Sequence, residues 1–351
     1  VIGERLKVAR YRARLSTRGL AAKAEVSAMA VSKYERGLDV PGSDVLIRLA
    51  RALGVKVEFL LRRDSVRLAE ASFRCRRVLP AKQKRAVLAE MQDLAERFVQ
   101  TAGLFGGVVG PDLPSVRVRV AGNAEQAAAA LRERWALGQG PIDSLTAAME
   151  THDVLVGPID ADVRFDAATV ATEGKPSLPV VVVRRGVPGD RQRFSMAHEL
   201  GHLVMELGAG VDVEKAAHRF AAALLVPAEA ARAELGKERA DLAPLELHLL
   251  KHKYGLSMRS WVMRAADLGI ITSTTAAKLH RAFASRGWLQ KEPGDQIPAE
   301  EPKRLKLLVL RALAEGLITE SRATELLGMS LSGYLRQEKK AHGEFPVGVC
   351  N

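Results

Sequence analysis

The chain has 351 residues, 47% hydrophobic and 27% charged, which suits two or three globular domains. No apolar run is long enough to span a bilayer, and the charged, periodic start does not read as a signal peptide. Cys75 and Cys350 are too few and too far apart for a disulfide framework or a cysteine metal site, so a cytoplasmic protein without membrane contact is expected. The net charge of +12 is unevenly placed. Residues 1–63 carry 14 Lys+Arg against 6 Asp+Glu, and residues 64–100 carry 8 against 5, so the rest is nearly neutral. A basic module on a neutral body points to nucleic acid as a partner, double-stranded DNA in particular once the helices are considered.

Residues 4–61 read as four or five short helices. Ser16 caps a helix through Ala24, Glu25-Val26-Ser27 makes a tight turn, and Ser27 caps a second helix through Glu35. Arg36-Gly37 ends it and Pro41 blocks continuation, while Asp44 to Leu53 is an amphipathic helix closed by Gly54. Two short helices about a tight turn inside a basic all-α module is the helix-turn-helix layout.

This stretch resembles the Xre/lambda-repressor-like DNA-binding family. The residues that carry the resemblance are Leu15-Ser16, Leu20-Ala21, Val26-Ser27, Val31 to Gly37, Pro41 and Leu49 to Val55. The resemblance implies DNA contacts at Thr17, Arg18, Ser27, Ala28, Met29, Ser32, Lys33 and Arg36. Family members often have Gln at the positions of Thr17 and Ala28, and Gly where this chain has Glu25. Alanine and methionine offer no bidentate hydrogen bonds to base edges, so phosphate binding is expected ahead of strong sequence readout. A helix-turn-helix that docks a protein instead of DNA is the other reading.

Residues 64–122 read as a helical connector and linker. Val87, Met91, Leu94, Ala95 and Phe98 recur at helical spacing, either to pack on a neighbouring domain or to form a homodimer suited to two DNA half-sites. Gly103 to Pro114 is linker-like.

Residues 123–240 read as a mixed domain. Helices are expected from Ala124 to Leu137 and from Ile142 to Thr151, and strands at Val154–Val156, Phe165–Val170 and Val180–Val183. A polar turn then leads into His198-Glu199-Leu200-Gly201-His202, an H-E-x-x-H pentapeptide. Histidines four apart share a helix face and can reach one metal ion, while Glu199 points aside, toward the attacking water. Leu200, Leu203 and Val204 give the helix an apolar side, and Gly201 is expected to leave room for a metal against the backbone. Two histidines need a third protein ligand. Glu214, at the start of an apolar helix ended by Pro227, is the choice; Glu206, one turn beyond His202 on the same helix, and Asp212 are the alternatives by proximity.

Residues 125–230 resemble the ImmA/IrrE metallopeptidase family, gluzincin-like proteins often fused to Xre modules. The match rests on Leu131 to Trp135, Gly140-Pro141-Ile142, Arg191 to Phe194, Ala197 to His202, and Glu214-x-x-Ala217-His218-x-Phe220-Ala221 ending in Leu225-Val226-Pro227. The resemblance implies Zn2+, with Mn2+ equally suited to two His and one Glu, held by His198, His202 and Glu214. It makes Glu199 the general base, and it places His218 beside the site, orienting a ligand or the oxyanion; a plain helix-surface histidine is the other reading. It implies as substrate a single partner protein, a repressor or antirepressor encoded nearby, cut in a stress or mobile-element response.

Residues 241–351 read as helical, a C-terminal domain with a sensory, partner-binding or packing role, with breaks at Gly255, Gly269 and Glu292-Pro293 and a helix-turn-helix cadence from Ile318 to Leu331. The expected fold is mainly α with a small β-sheet (α+β): an all-α N-terminal module, a zincin-like centre and a helical C-terminal part. The expected function is a DNA-binding regulator with a zinc-dependent endopeptidase domain. The rival is a transcription factor or toxin–antitoxin-type component whose metal site is structural or vestigial.

Overall fold

The computed structural model describes residues 2–62, 66–69, 79–329, 333, 334 and 336. Cys75, Cys350, the first part of the expected connector and the end of the Ile318–Leu331 cadence lie outside them. Among the described residues no helix is long and apolar enough to cross a membrane.

The first five helices, α1 (Ile2–Arg12), α2 (Thr17–Ala24), α3 (Ala28–Glu35), α4 (Ser43–Leu53) and α5 (Val57–Leu61), close on their own core of Leu6, Leu20, Val31, Leu49 and Leu60. Serine capping builds the turn between α2 and α3. Ser16 Oγ accepts from Gly19 N and Ser27 Oγ accepts from Ala30 N, each at 3.0 Å. Glu25 ends α2 in the left-handed region, at φ 54° and ψ 47°. That is the position where Xre-like chains often carry Gly, and a side chain there is strained.

Helix α6 (Ala81–Ala102) follows, then β1 (Val116–Val118), α7 (Ala124–Arg134), α8 (Leu145–Thr151), β2 (Leu155–Ile159), β3 (Ala167–Ala171) and β4 (Pro179–Arg184). Strands β2, β4 and β3 form a sheet in that order, β2 parallel and β3 antiparallel to β4, with Val181 opposite both Val156 and Thr169. Side chains alternate across a strand. Val180 and Val182 therefore face α6, against Met91 and Phe98. Val181 and Val183 face the other way, toward Met196, Ala197 and Leu200 of α9 (Gly189–Val204). Cover on both faces explains why β4 is an unbroken valine run.

This packing decides what α6 is. Its apolar stripe covers the sheet, so it packs on a neighbour and does not offer that stripe to a second copy of the chain. Its opposite side is acidic and receives α1. Arg5 is bonded to Glu96, and Arg12 Nη1 meets Asp93 Oδ1 at 2.8 Å and, through Nε, Glu90 at 3.5 Å. Burial raises the carboxyls of Glu90 and Glu96 above their ordinary range, against the pull of those arginines.

After α9 come β5 (Met205–Leu207), α10 (Val213–Leu225), α11 (Ala228–Leu235), α12 (Pro244–Tyr254), α13 (Met258–Asp267), α14 (Ser273–Ser285), α15 (Arg304–Ala314) and α16 (Glu320–Leu326). Leu247, Trp261 and Phe283 of α12 to α14 lie in the same core as Leu200 and Phe220. No break in the core therefore falls at residue 240. The other two helices sit elsewhere: α15 packs on α6, and α16 reaches the first module, where Lys56 Nζ donates to Ser321 O at 3.0 Å and Arg62 pairs with Glu325.

Relief of the strain at Glu25 is directly measurable. Glu25→Gly is expected to raise the unfolding free energy of the helical module by about 1 kcal/mol in urea titration. An unchanged or lower midpoint would show that the left-handed backbone there carries no strain.

Candidate functional site

The site is built by two helices and the reversal between them. Strand β4 delivers the chain to α9, on which His198 and His202 occupy successive turns. Helix α9 stops at Val204, because Met205 turns extended and β5 pairs in parallel with β1. Glu206 therefore lies on a strand and not on the helix, contrary to the sequence reading, and its carboxylate takes the Ser115 hydroxyl. Asp212 is engaged as well: it caps α10, accepting from Lys215 N at 3.0 Å. Of the three acids considered, Glu214 alone faces the histidines.

The three donor groups converge. His198 Nε2 and His202 Nε2 are 3.1 Å apart. Glu214 Oε2 is 3.5 Å from His198 Nε2, and Glu214 Oε1 is 3.8 Å from His202 Nε2. Atoms about 2.0–2.1 Å from one tetrahedral centre lie roughly 3.3–3.4 Å from each other. The observed separations bracket that value, so the residues fit one ion of zinc's size. Among the described residues this is the one group of three or more His, Cys, Asp or Glu so disposed. Two imidazole nitrogens and a carboxylate oxygen gathered this closely are the donor set of a metal site.

Glycine at 201 makes the convergence possible, though not by leaving space for a metal. A Cβ there would lie 3.0–3.3 Å from Phe220. The missing side chain lets α10 press against α9, which sets Glu214 opposite the two imidazoles. Phe220 was read from sequence as part of a family pattern; its contact with Gly201 links residues too far apart in the chain for spacing to disclose.

The two glutamates have opposite environments. Glu199 is 3% exposed, and its Oε2 has no hydrogen-bond partner among the described residues. Burial, with the nearby Glu214 charge second, pushes its carboxyl up to about 8. Glu214 is half-buried, and contact with His198, followed by the charges of His202 and His218, pulls it down to about 2. A carboxylate kept ionised beside a carboxyl kept protonatable is the pairing that separates a ligand from a proton carrier.

His218 stands one turn after Glu214, its Nδ1 2.7 Å from the Glu214 carbonyl, to which it donates. Its ring lies 4.8 Å from that of His198 and stacks on Phe194 at 5.9 Å. It is therefore beside the site and not out on the helix surface.

The DNA-contact candidates lie on α2, α3 and their ends, and none is buried. Arg18, Ser27, Met29, Lys33 and Arg36 are exposed, Met29 at 67%, while Thr17, Ala28 and Ser32 are half-buried. Ser27 is also the cap of α3, and Arg36 Nε donates to Ser32 O at 3.3 Å. Arg5, Arg12 and Arg62 are not available, since each is paired with a carboxylate across the module boundary.

The pH behaviour of the glutamates provides a check. Glu199 titrates at about 8 in the fold against 4.5 ordinarily, so its contribution to stability is full below 4.5 and is lost as pH rises to about 8. Glu214 runs the other way: its contribution is present above 4.5 and is lost as pH falls toward about 2. In chelator-treated protein, Glu199→Gln should melt clearly above wild type near pH ~8 and close to it near pH ~4. Equal gaps at both would mean that burial does not hold Glu199 neutral.

Two family models match the chain. A helix-turn-helix domain covers residues 1–60, and the IrrE N-terminal-like domain covers residues 150–265. The second match takes in residues 241–265, in line with the shared core of α9, α10, α12 and α13. Searches of the curated proteins and of the solved structures each returned no match. The chain thus carries a helix-turn-helix domain ahead of an IrrE-like, metallopeptidase-type domain, an arrangement that matches helix-turn-helix proteins fused to an ImmA/IrrE peptidase.

Proposed function

We propose that the chain is a metal-dependent endopeptidase that cuts one partner protein, a repressor or antirepressor encoded nearby, in a stress or mobile-element response. The observation that carries this reading is the convergence of His198, His202 and Glu214 beside a buried glutamate with an unpartnered oxygen. Two imidazoles and a carboxylate at these separations suit Zn2+, and Mn2+ as well. A divalent ion held there would polarise the scissile carbonyl, acidify water at the site and draw Glu199 toward its ionised form. Glu199 takes the proton of the attacking water on its free oxygen and passes it to the leaving amine. The His218 ring lies edge-on to that of His198 and stacks on Phe194, closing one flank of the site.

The helix-turn-helix module holds this activity at double-stranded DNA, with Lys33 and Arg36 on phosphates and α3 toward the groove. Ala28 and Met29 supply apolar contact only. A homodimer would engage a two-fold operator, and the protein acts in the cytoplasm, where DNA and repressor meet.

Incubation of the purified chain with the product of the neighbouring gene should give a discrete cut that a chelator abolishes. Glu199→Gln should keep its metal and lose the cut; cleavage at wild-type rate by Glu199→Gln would remove it from the mechanism. For the DNA module, Lys33→Ala should lower the slope of log affinity against log salt by about 1. A slope unchanged by that substitution would take Lys33 off the backbone contacts.

A further inference from the structure

The imidazole of His198 is held in an unusual way. Metal-binding histidines generally donate their second ring nitrogen to a carboxylate or carbonyl, which fixes the ring. His198 Nδ1 is buried and has no such partner among the described residues. Its aim is therefore set by where α9 itself lies, and whatever anchors the first turns of α9 governs the site.

That anchor comes from an extended segment about a hundred residues later, outside the matched peptidase region. Gly189 N, the first residue of α9, donates to Ile297 O at 2.7 Å. The Gln192 side chain grips the backbone of Glu300 from both sides: Nε2 donates to Glu300 O at 2.8 Å, and Oε1 accepts from Glu300 N at 2.6 Å. The Glu300 carboxylate then joins two helices. It accepts from Thr146 N at 2.6 Å, Leu145 N at 3.2 Å and Ser144 Oγ at 3.1 Å at the start of α8, and from buried Arg193 on α9. Between those two attachments sits Met196, its sulfur 3.5 Å from Thr146 Oγ1, on the turn that precedes His198.

We propose that Glu300 is a positioning residue for the metal site, acting through Arg193 and Thr146 to fix the bearing of α9 and with it the aim of His198. This rests on the metal reading given above. Loss of the carboxylate leaves Arg193 buried without its ionic partner and removes the bridge from α9 to the α8 N-terminus, leaving only its bonds to the Ile142 and Asp143 carbonyls and the Thr146–Met196 contact, so the helix can turn without unfolding.

Glu150 provides the comparison. It holds the far end of the same segment, accepting from Lys303 N at 3.0 Å and Arg304 N at 3.1 Å, and makes no hydrogen bond to α9. The test uses the full chain loaded with Co2+, read by affinity, by visible absorption and by melting. Glu300→Gln should bind Co2+ about tenfold more weakly, with a shifted visible band. Glu150→Gln should lose a similar amount of thermal stability yet keep the wild-type affinity and band. Gln192→Ala, which leaves no buried charge unpaired, should shift the band in the same direction as Glu300→Gln and serves if the latter does not fold. Wild-type affinity and band in Glu300→Gln and Gln192→Ala, or the same changes in Glu150→Gln, would reduce Glu300 to a general structural role and overturn the inference. A wild-type chain that takes up no Co2+ would sink the metal reading and this inference with it.

Discussion

Everything the site can do depends on how closely α10 lies against α9. Gly201 and Phe220 set that distance: the ring occupies the place a side chain would fill. Without this approach the H-E-x-x-H helix would present two histidines and no third donor. With it, Glu214 meets both imidazoles within 4 Å, from a helix whose start is fixed separately by Asp212. Close packing of this kind tolerates little change, since interiors are dense and a displaced ring moves its helix.

Burial then divides the labour between chemically identical groups. Glu214 keeps 41% of its side-chain surface and sits among histidines; Glu199 is almost wholly buried. The same carboxyl group becomes an ionised donor in one place and a proton-retaining acid in the other. A second set of charges, buried or half-buried, has a different use. Arg5, Arg12 and Arg62 tie the helical module to α6 and α16, and Lys251, fully buried, joins Asp190 of α9 to Glu292. Buried pairs of this kind resist replacement of one partner more than they add net stability, so they specify an arrangement.

Much of this was legible in the sequence because it is local. Ser16 and Ser27 announced their helices, the valine run its strand, and the spacing of His198 and His202 their shared face. Glu214 was reachable because a carboxylate at a helix start follows a known pattern. Errors came where a distant contact overrides local preference. The residues after Val204 are compatible with more helix, yet pairing with Val116 to Val118 makes them a strand and takes Glu206 away from the site. The stripe on α6 was visible, but not the sheet it would cover. Glu300 carried no signal at all: its partners lie more than a hundred residues away, and an acid after Ala299 looks like any loop residue.

Helix α1 has one further consequence. Its Arg10 is paired with Glu35 at the end of α3, and Gly3 lets it abut the Tyr34 and Glu35 carbonyls. Its Arg5 and Arg12 grip α6, which backs the sheet over α9. One short helix thus ties the orientation of α3 to that of α6 and the sheet it backs. A displacement of α3 is carried through α1 into α6 and the sheet, so the helical module and the helix bearing His198 and His202 share one frame of reference.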